Sequence, residues 1–279
     1  MYWETLIYFK DSSYRLMKIA VIGSGNMGGA LVRGLVASGA VAPQDIICTA
    51  ATQKSLEKLQ SRCPGIEVTT ENIYAVAKAQ CIVLAVKPWI VPQIAAEIAG
   101  FIKPESQFIV SMAASPSLEE LQKLFGEKSA IIRAIPNTAI EICKGVTFLS
   151  SAPQIQKISW GEEATRLYSA LGGVWWVGEK ELNAGMALAS CGIAYALKYL
   201  KSATDGGVEL GLKPALAREI VAQTMIGAAS LVKENSSSPD AEIDRVTTPG
   251  GLTIRGLNAM EEKGFTASVL AGLRGGTIK

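Results

Sequence analysis

Histidine is absent from the 279-residue sequence, and that gap excludes a large part of enzyme chemistry. A Ser-His-Asp triad, a His-ligated zinc and an imidazole acid or base are all closed to such a chain. Whatever it does near neutral pH works without the commonest proton shuttle. An excess of one charge is missing too: 27 Lys and Arg stand against 25 Asp and Glu, a net +2. That gives no concentrated basic surface for nucleic acid or an anionic membrane. Aromatic residues make up only 6% against 49% hydrophobic and 19% charged, a balance that excludes a disordered chain and points to closely packed, small-residue-rich helices and strands.

Clustered thiols are lacking as well. The five cysteines, Cys48, Cys63, Cys81, Cys143 and Cys191, are scattered, odd in number and contain no C-x-x-C pair. The pattern favours a reducing compartment, the cytoplasm, and argues against a structural zinc or any other metal site. Long apolar runs are also scarce. The longest stretch without a charge, Leu182 to Leu197, falls short of the roughly 18–20 residues of a membrane span and reads as a buried helix. Residues 1–16 carry Glu4 and Asp11 and no continuous apolar core, so they read as a poorly ordered extension or an upstream start before Met17.

From residue 17 to residue 178 short β-branched runs alternate with helical patterns, as in a parallel sheet covered by helices. The runs begin with Ile19-Ala20-Val21-Ile22 and end with Val174-Trp175-Trp176-Val177. Several are apolar throughout, as strands buried on both faces require. After Gly178 the strand signals stop, and Leu182 to Ala203, Pro214 to Glu234 and Leu252 to Lys263 read as helices. Residues 235 to 240, Asn-Ser-Ser-Ser-Pro-Asp, read as a loop. The fold class is α/β: an N-terminal Rossmann-type doubly wound sheet over 17–178, then an all-α domain over 179–279.

Gly23-Ser24-Gly25-Asn26-Met27-Gly28 matches G-x-G-x-x-G between a strand and a helix, the context in which the motif cradles a dinucleotide pyrophosphate at a helix N-terminus. Sites for NAD usually add an acid about 20 residues on, to accept from the ribose 2′-hydroxyl. Here the sequence is Cys48-Thr49-Ala50-Ala51-Thr52-Gln53-Lys54. Without that carboxylate a 2′-phosphate is not repelled, and Thr49, Thr52 and Lys54 can meet one, so the cofactor reads as NADPH, with NADH as the second choice. An exposed helix-face charge remains the plain alternative for Lys54.

Two further segments end apolar strands where a doubly wound sheet places its ligand crevice: Leu84-Ala85-Val86-Lys87-Pro88 and Arg133-Ala134-Ile135-Pro136-Asn137-Thr138. In the helical half, Val246-Thr247-Thr248-Pro249-Gly250-Gly251-Leu252-Thr253 places a proline turn and two glycines before a helix. That is either a plain turn with a cap or a backbone cradle for a small carboxylate.

In these segments the chain resembles the pyrroline-5-carboxylate reductase family from Met17 onward. The likeness rests on Met17 to Gly28, Leu84 to Pro88, Arg133 to Thr138, Asp205 to Leu212 and Val246 to Leu257, followed by Met260-Glu261-Glu262-Lys263-Gly264-Phe265. The Thr-Pro-Gly-Gly-x-Thr-Ile block is the most specific. The resemblance implies an enzyme: an NADP-dependent oxidoreductase acting on a C=N bond, which makes L-proline from L-1-pyrroline-5-carboxylate at the last step of proline biosynthesis. It implies that Thr253 bonds the ring nitrogen, that Thr248, Gly250 and Gly251 hold the carboxylate, and that Asn72 lies near the adenosine ribose and its phosphate. With the glycine loop, the two strand-end segments, through Ala85, Val86, Lys87, Pro88 and Asn137, read as walls of a nicotinamide pocket, and the resemblance implies that Lys87 and Asn137 line its nicotinamide side. It also implies that the C-terminal helices form a homodimer, which in many members of the family assembles further. The family usually has Ser-Gly-Ser-Gly-Pro-Ala-Tyr where this chain has Ala189-Ser190-Cys191-Gly192-Ile193-Ala194-Tyr195, and Ala139 replaces a usual proline after Thr138. Loss of the helix-interrupting proline is expected to straighten the long helix.

Two other readings stay open at this level. A β-hydroxyacid dehydrogenase shares the architecture but needs a lysine one turn after a helix glycine. Four residues after Gly192 stands Ala196, and Lys198 is two further on. A non-catalytic NADP-binding sensor would keep the fold without turnover.

Overall fold

The computed structural model describes residues 17–152, 155 and 159–277; the expected extension over 1–16 lies outside them. The chain divides into two compact units after Glu179.

In the first unit the described residues form one sheet in the order β3-β2-β1-β4-β5-β6-β7-β8. The strands are β1 (Ile19–Ile22), β2 (Ile46–Thr49), β3 (Glu67–Thr69), β4 (Cys81–Leu84), β5 (Phe108–Ser111), β6 (Ala130–Pro136), β7 (Gly145–Ser151) and β8 (Gly172–Trp176). Helices α1 (Asn26–Ser38), α2 (Gln53–Arg62), α3 (Asn72–Lys78), α4 (Val91–Ile98), α5 (Leu118–Phe125) and α6 (Ser159–Ser169) connect them. Successive side chains of a strand point to opposite faces, so a strand covered on both sides is apolar at every position. In β1, Ile19 and Val21 join one core with Leu31 and Leu35 of α1, while Ile22 joins the other with Val91 and Ile98 of α4.

The expectation of a parallel sheet needs one correction. β7 runs antiparallel to β6, with Ala134 opposite Leu149. A parallel return needs a crossover of a dozen or more residues, and the segment between these strands holds only a short 3-10 helix, Thr138–Ile142. The other neighbouring pairs are parallel.

The second unit is helical: α7 (Leu182–Gly185), a π-helical stretch Met186–Cys191, α8 (Gly192–Glu209), α9 (Pro214–Glu234), α10 (Pro239–Val246), α11 (Leu252–Glu262) and α12 (Phe265–Gly275). The long helix runs on without the family's proline, but it does not become a regular α-helix. The π stretch widens its turn directly before Gly192 and Ile193, accommodating an extra residue per turn by i→i+5 pairing. Next to it, Tyr195 donates its hydroxyl to the Gly272 carbonyl at 2.7 Å, and the Cys191 thiol lies 3.8 Å from the Gly276 carbonyl. The expected loop at residues 235–240 ends early, because Ser238 caps α10 by accepting from the Ala241 amide and Pro239 takes the first helical position.

Candidate active site

α1 begins at Asn26 behind Gly25, with no side chain capping it and no acid in its first turn. Its free N–H groups and positive dipole end are therefore open to an anion. Gly28 must be glycine. A Cβ there would lie 1.9 Å from the Gly23 carbonyl oxygen and 3.0 Å from Ala85 Cβ, so the helix could not sit this close to the turn. A Cβ on Gly25 would instead project into open space above the loop, leaving room for a bulky anion. The loop is tied to its neighbours by Gly23 N–H donating to the Thr49 carbonyl at 3.0 Å and Ala85 N–H donating to the Ile22 carbonyl at 2.8 Å. These residues fit the pyrophosphate of a dinucleotide.

At the carboxyl end of β2 the Thr49 hydroxyl is buried and donates to Asn72 Oδ1 at 2.6 Å. Thr49 therefore supports Asn72 and the glycine loop, and its own hydroxyl proton is committed. Asn72, the first residue of α3, donates from Nδ2 to Glu97 Oε2 at 2.9 Å. Thr52 caps α2 by accepting from the Ser55 amide, and Lys54 is exposed on that helix. Ser24 and Met27 are half-buried beside exposed Asn26.

Val86 is half-buried at the end of β4, followed by exposed Lys87 and by Pro88, which opens a 3-10 turn. Asn137, at the end of β6, is buried, and its Oδ1 accepts from the Ala139 and Val146 amides at 3.2 and 3.3 Å. Its amide oxygen thus fixes the turn that leads into β7.

In the second unit, Gly251 N–H donates to the Thr248 carbonyl at 2.9 Å across Pro249 and Gly250, and Gly250 has φ +71°. Proline second and a left-handed glycine third are the requirements of a type II turn. α11 follows with no side-chain cap, so its first N–H groups are available beside the exposed side chains of Thr248 and Thr253.

Sequence reading missed two elements. Glu97 reaches Asn72 across 25 positions, and no local motif announces that contact. Arg33 of α1 grips both carboxylate oxygens of Glu141, at 2.6 and 2.9 Å, joining the glycine-loop helix to the turn after Asn137.

Residues 179–277 match the pyrroline-5-carboxylate reductase dimerisation domain, and residues 18–115 match the NADP oxidoreductase, coenzyme F420-dependent, domain. Pyrroline-5-carboxylate reductase 3 of Danio rerio is 35% identical over 91% of this chain and 87% of its own length. The chain belongs to the pyrroline-5-carboxylate reductase family. Pyrroline-5-carboxylate reductase 1 of Dictyostelium discoideum is 34% identical over 91% of this chain, which spans 48% of that relative. A solved pyrroline carboxylate reductase of Plasmodium falciparum with NADP bound has the same fold, with TM-score 0.84, 23% identity, and 93% and 95% of the two chains covered.

Family membership also explains the surface of the second unit. α8 has no buried residue and α9 only Ala217, while Leu197 and Ile226 are 58% and 60% exposed. Bare apolar area on that scale belongs to an interface, and the dimerisation match makes the chain a homo-oligomer.

Proposed function

We propose that this chain reduces L-1-pyrroline-5-carboxylate to L-proline with NAD(P)H, the last step of proline biosynthesis. Family membership over 91% of the chain carries the activity. The uncapped, glycine-opened start of α1 supports the cofactor end, and the Thr248–Gly251 turn supports the substrate end.

In this reading residues 17–178 hold the cofactor through Gly23 to Gly28, Asn72, Ala85 to Pro88 and Asn137, with Lys54 near the adenosine ribose. When bound, NAD(P)H supplies the hydride. Residues 179–279 bind substrate and form the dimer. The Gly250 amide and the Thr248 hydroxyl take the carboxylate; Gly251, whose amide is spent on the Thr248 carbonyl, closes the turn that presents them, and Thr253 accepts from the protonated ring nitrogen. Cyclic imines are basic enough to arrive partly protonated near neutrality, so the protein needs to orient an iminium more than to supply an acid. That requirement suits a chain without histidine.

Among the described residues one helix, α9, is long and apolar enough to cross a membrane. We assign its uncovered face to a second copy, because it lies inside the dimerisation match. The five cysteines stand as free thiols, which supports a reducing, cytoplasmic setting.

The test is NADPH oxidation with pyrroline-5-carboxylate, run beside a panel of β-hydroxyacids with NADP. Turnover on the imine alone is the expected result. Cofactor binding without turnover on any substrate would favour the sensor. Thr253→Ala should lower kcat/KM by about 10- to 100-fold, the scale of one hydrogen bond to a charged group, and Thr253→Ser should recover most of it. Unchanged turnover and affinity in Thr253→Ala would remove the assigned role.

A further inference from the structure

The carboxyl end of β2 is where a doubly wound sheet distinguishes its dinucleotides. A carboxylate there accepts from a ribose 2′-hydroxyl and repels a 2′-phosphate. Residues 50 to 54, Ala-Ala-Thr-Gln-Lys, carry no acid, but the fold brings one from α4. Thr49 closes β2 and donates to Asn72 Oδ1 at 2.6 Å, and Asn72 Nδ2 donates to Glu97 Oε2 at 2.9 Å.

The direction of this relay is set at the carboxylate end. A carboxylate accepts, so the Asn72 amide turns its NH2 group toward Glu97 and its oxygen toward Thr49, whose hydroxyl, able to donate or accept, donates to it. Glu97 is exposed, and one hydrogen bond leaves most of its lone-pair sites open to another donor.

We propose that Glu97 sets the balance between NADH and NADPH in this chain. Its carboxylate, held beside the end of β2 through Asn72, favours a ribose with a free 2′-hydroxyl and opposes a 2′-phosphate, while Lys54 acts in the other direction. The assignment rests on the reading that the sheet unit binds a nicotinamide dinucleotide.

The experiment is equilibrium titration of the full chain with NADH, NADPH and 2′,5′-ADP, the last as a probe for phosphorylated ribose. Protein-to-nicotinamide fluorescence transfer reads the first two, and calorimetry reads the third. Glu97→Gln keeps an oxygen for Asn72 and removes the charge. It should tighten NADPH relative to NADH by about three- to tenfold, the screened effect of one charge on a nearby phosphate, and tighten 2′,5′-ADP in parallel. Glu97→Lys should carry the ratio further the same way. If Glu97→Gln weakens both dinucleotides equally, or leaves their ratio unmoved, Glu97 only orients Asn72 and the proposal falls. A wild-type chain that binds none of the three overturns the dinucleotide reading and this proposal with it.

Discussion

Glu179→Ala probes how the carboxyl end of the sheet is held. Arg133 lies in β6 with its side chain 8% exposed. Its Nη1 donates to Glu179 Oε1 at 2.8 Å and its Nη2 to the Ala114 carbonyl at 2.5 Å, while Nε has no acceptor. The same Glu179 oxygen accepts from the Leu118 amide at 2.6 Å, at the start of α5. Removing the carboxylate strands a buried guanidinium and a helix-start N–H together. Breaking a fully buried pair from one side costs about 3–5 kcal/mol. Glu179 is 32% exposed, so water refills part of the gap and we expect about 2–3 kcal/mol. Glu179→Gln keeps an oxygen for both donors and loses only the charge, for about 1 kcal/mol. Against a typical domain stability of about 5–15 kcal/mol, the first change is easily read in urea. The assay is the denaturation midpoint at matched protein concentration, since assembly contributes to apparent stability, with the slope checked for constancy. An alanine variant within about 0.5 kcal/mol of wild type, the range of an ordinary surface change, would refute the account of a buried, carboxylate-dependent arginine.

Gly28→Ala would press a methyl to 1.9 Å from the Gly23 carbonyl, so the loop must open. Dinucleotide affinity should fall by about tenfold or more while the chain remains folded by circular dichroism, since a one-ångström displacement at a binding site is worth such factors; unchanged affinity in a fluorescence titration would sink the assignment of the loop. Glu141 supplies the pH dependence. The Arg33 hydrogen bonds, ahead of the Arg33 charge, hold its carboxyl below the ordinary 4.5. A group with a depressed folded-state pKa stabilises the fold above its unfolded value, and that contribution is lost as pH falls through the folded one. The melting-temperature gap between wild type and Glu141→Gln should therefore be open at pH 7 and close on acidification below about 4.5. A gap that persists unchanged to pH 3 would refute it.

Legibility in the sequence followed the range of the interaction. β1, β4 and β5 are apolar at almost every position because both faces are covered, and the run of letters alone reports that. The start of α9 was equally plain, since Pro214 can stand only where an N–H is not needed. The direction of β7 was not legible, because it depends on how short the connection after β6 is and not on the composition of β7 itself. α10 was hidden by a serine-rich stretch that looks like a loop, although Ser238-Pro239 is also a cap followed by a first-turn proline. In the site, the glycine loop was local and readable. The Thr49–Asn72–Glu97 relay was not, because its members lie on a strand and two helices and meet only when the sheet forms.

The high apolar content takes different forms in the two units. In the sheet unit it fills two large cores, one on each face of the strands, and Cys48, Cys63 and Cys81 share that burial: the Cys48 thiol is pushed up to about 12, mainly by desolvation. In the helical unit the same content stays outside, on Leu188, Leu197, Ile226 and Leu252 among others. A helix whose apolar face is not covered within its own unit needs another surface, since most helical stability comes from tertiary packing of that face, and the dimerisation match over this unit points to a second copy. The Thr248–Gly251 turn is carried by this unit, between α10 and α11. The free energy of assembly therefore also stabilises the unit whose backbone carries Gly250, Gly251 and Thr253, the residues proposed above to meet the substrate.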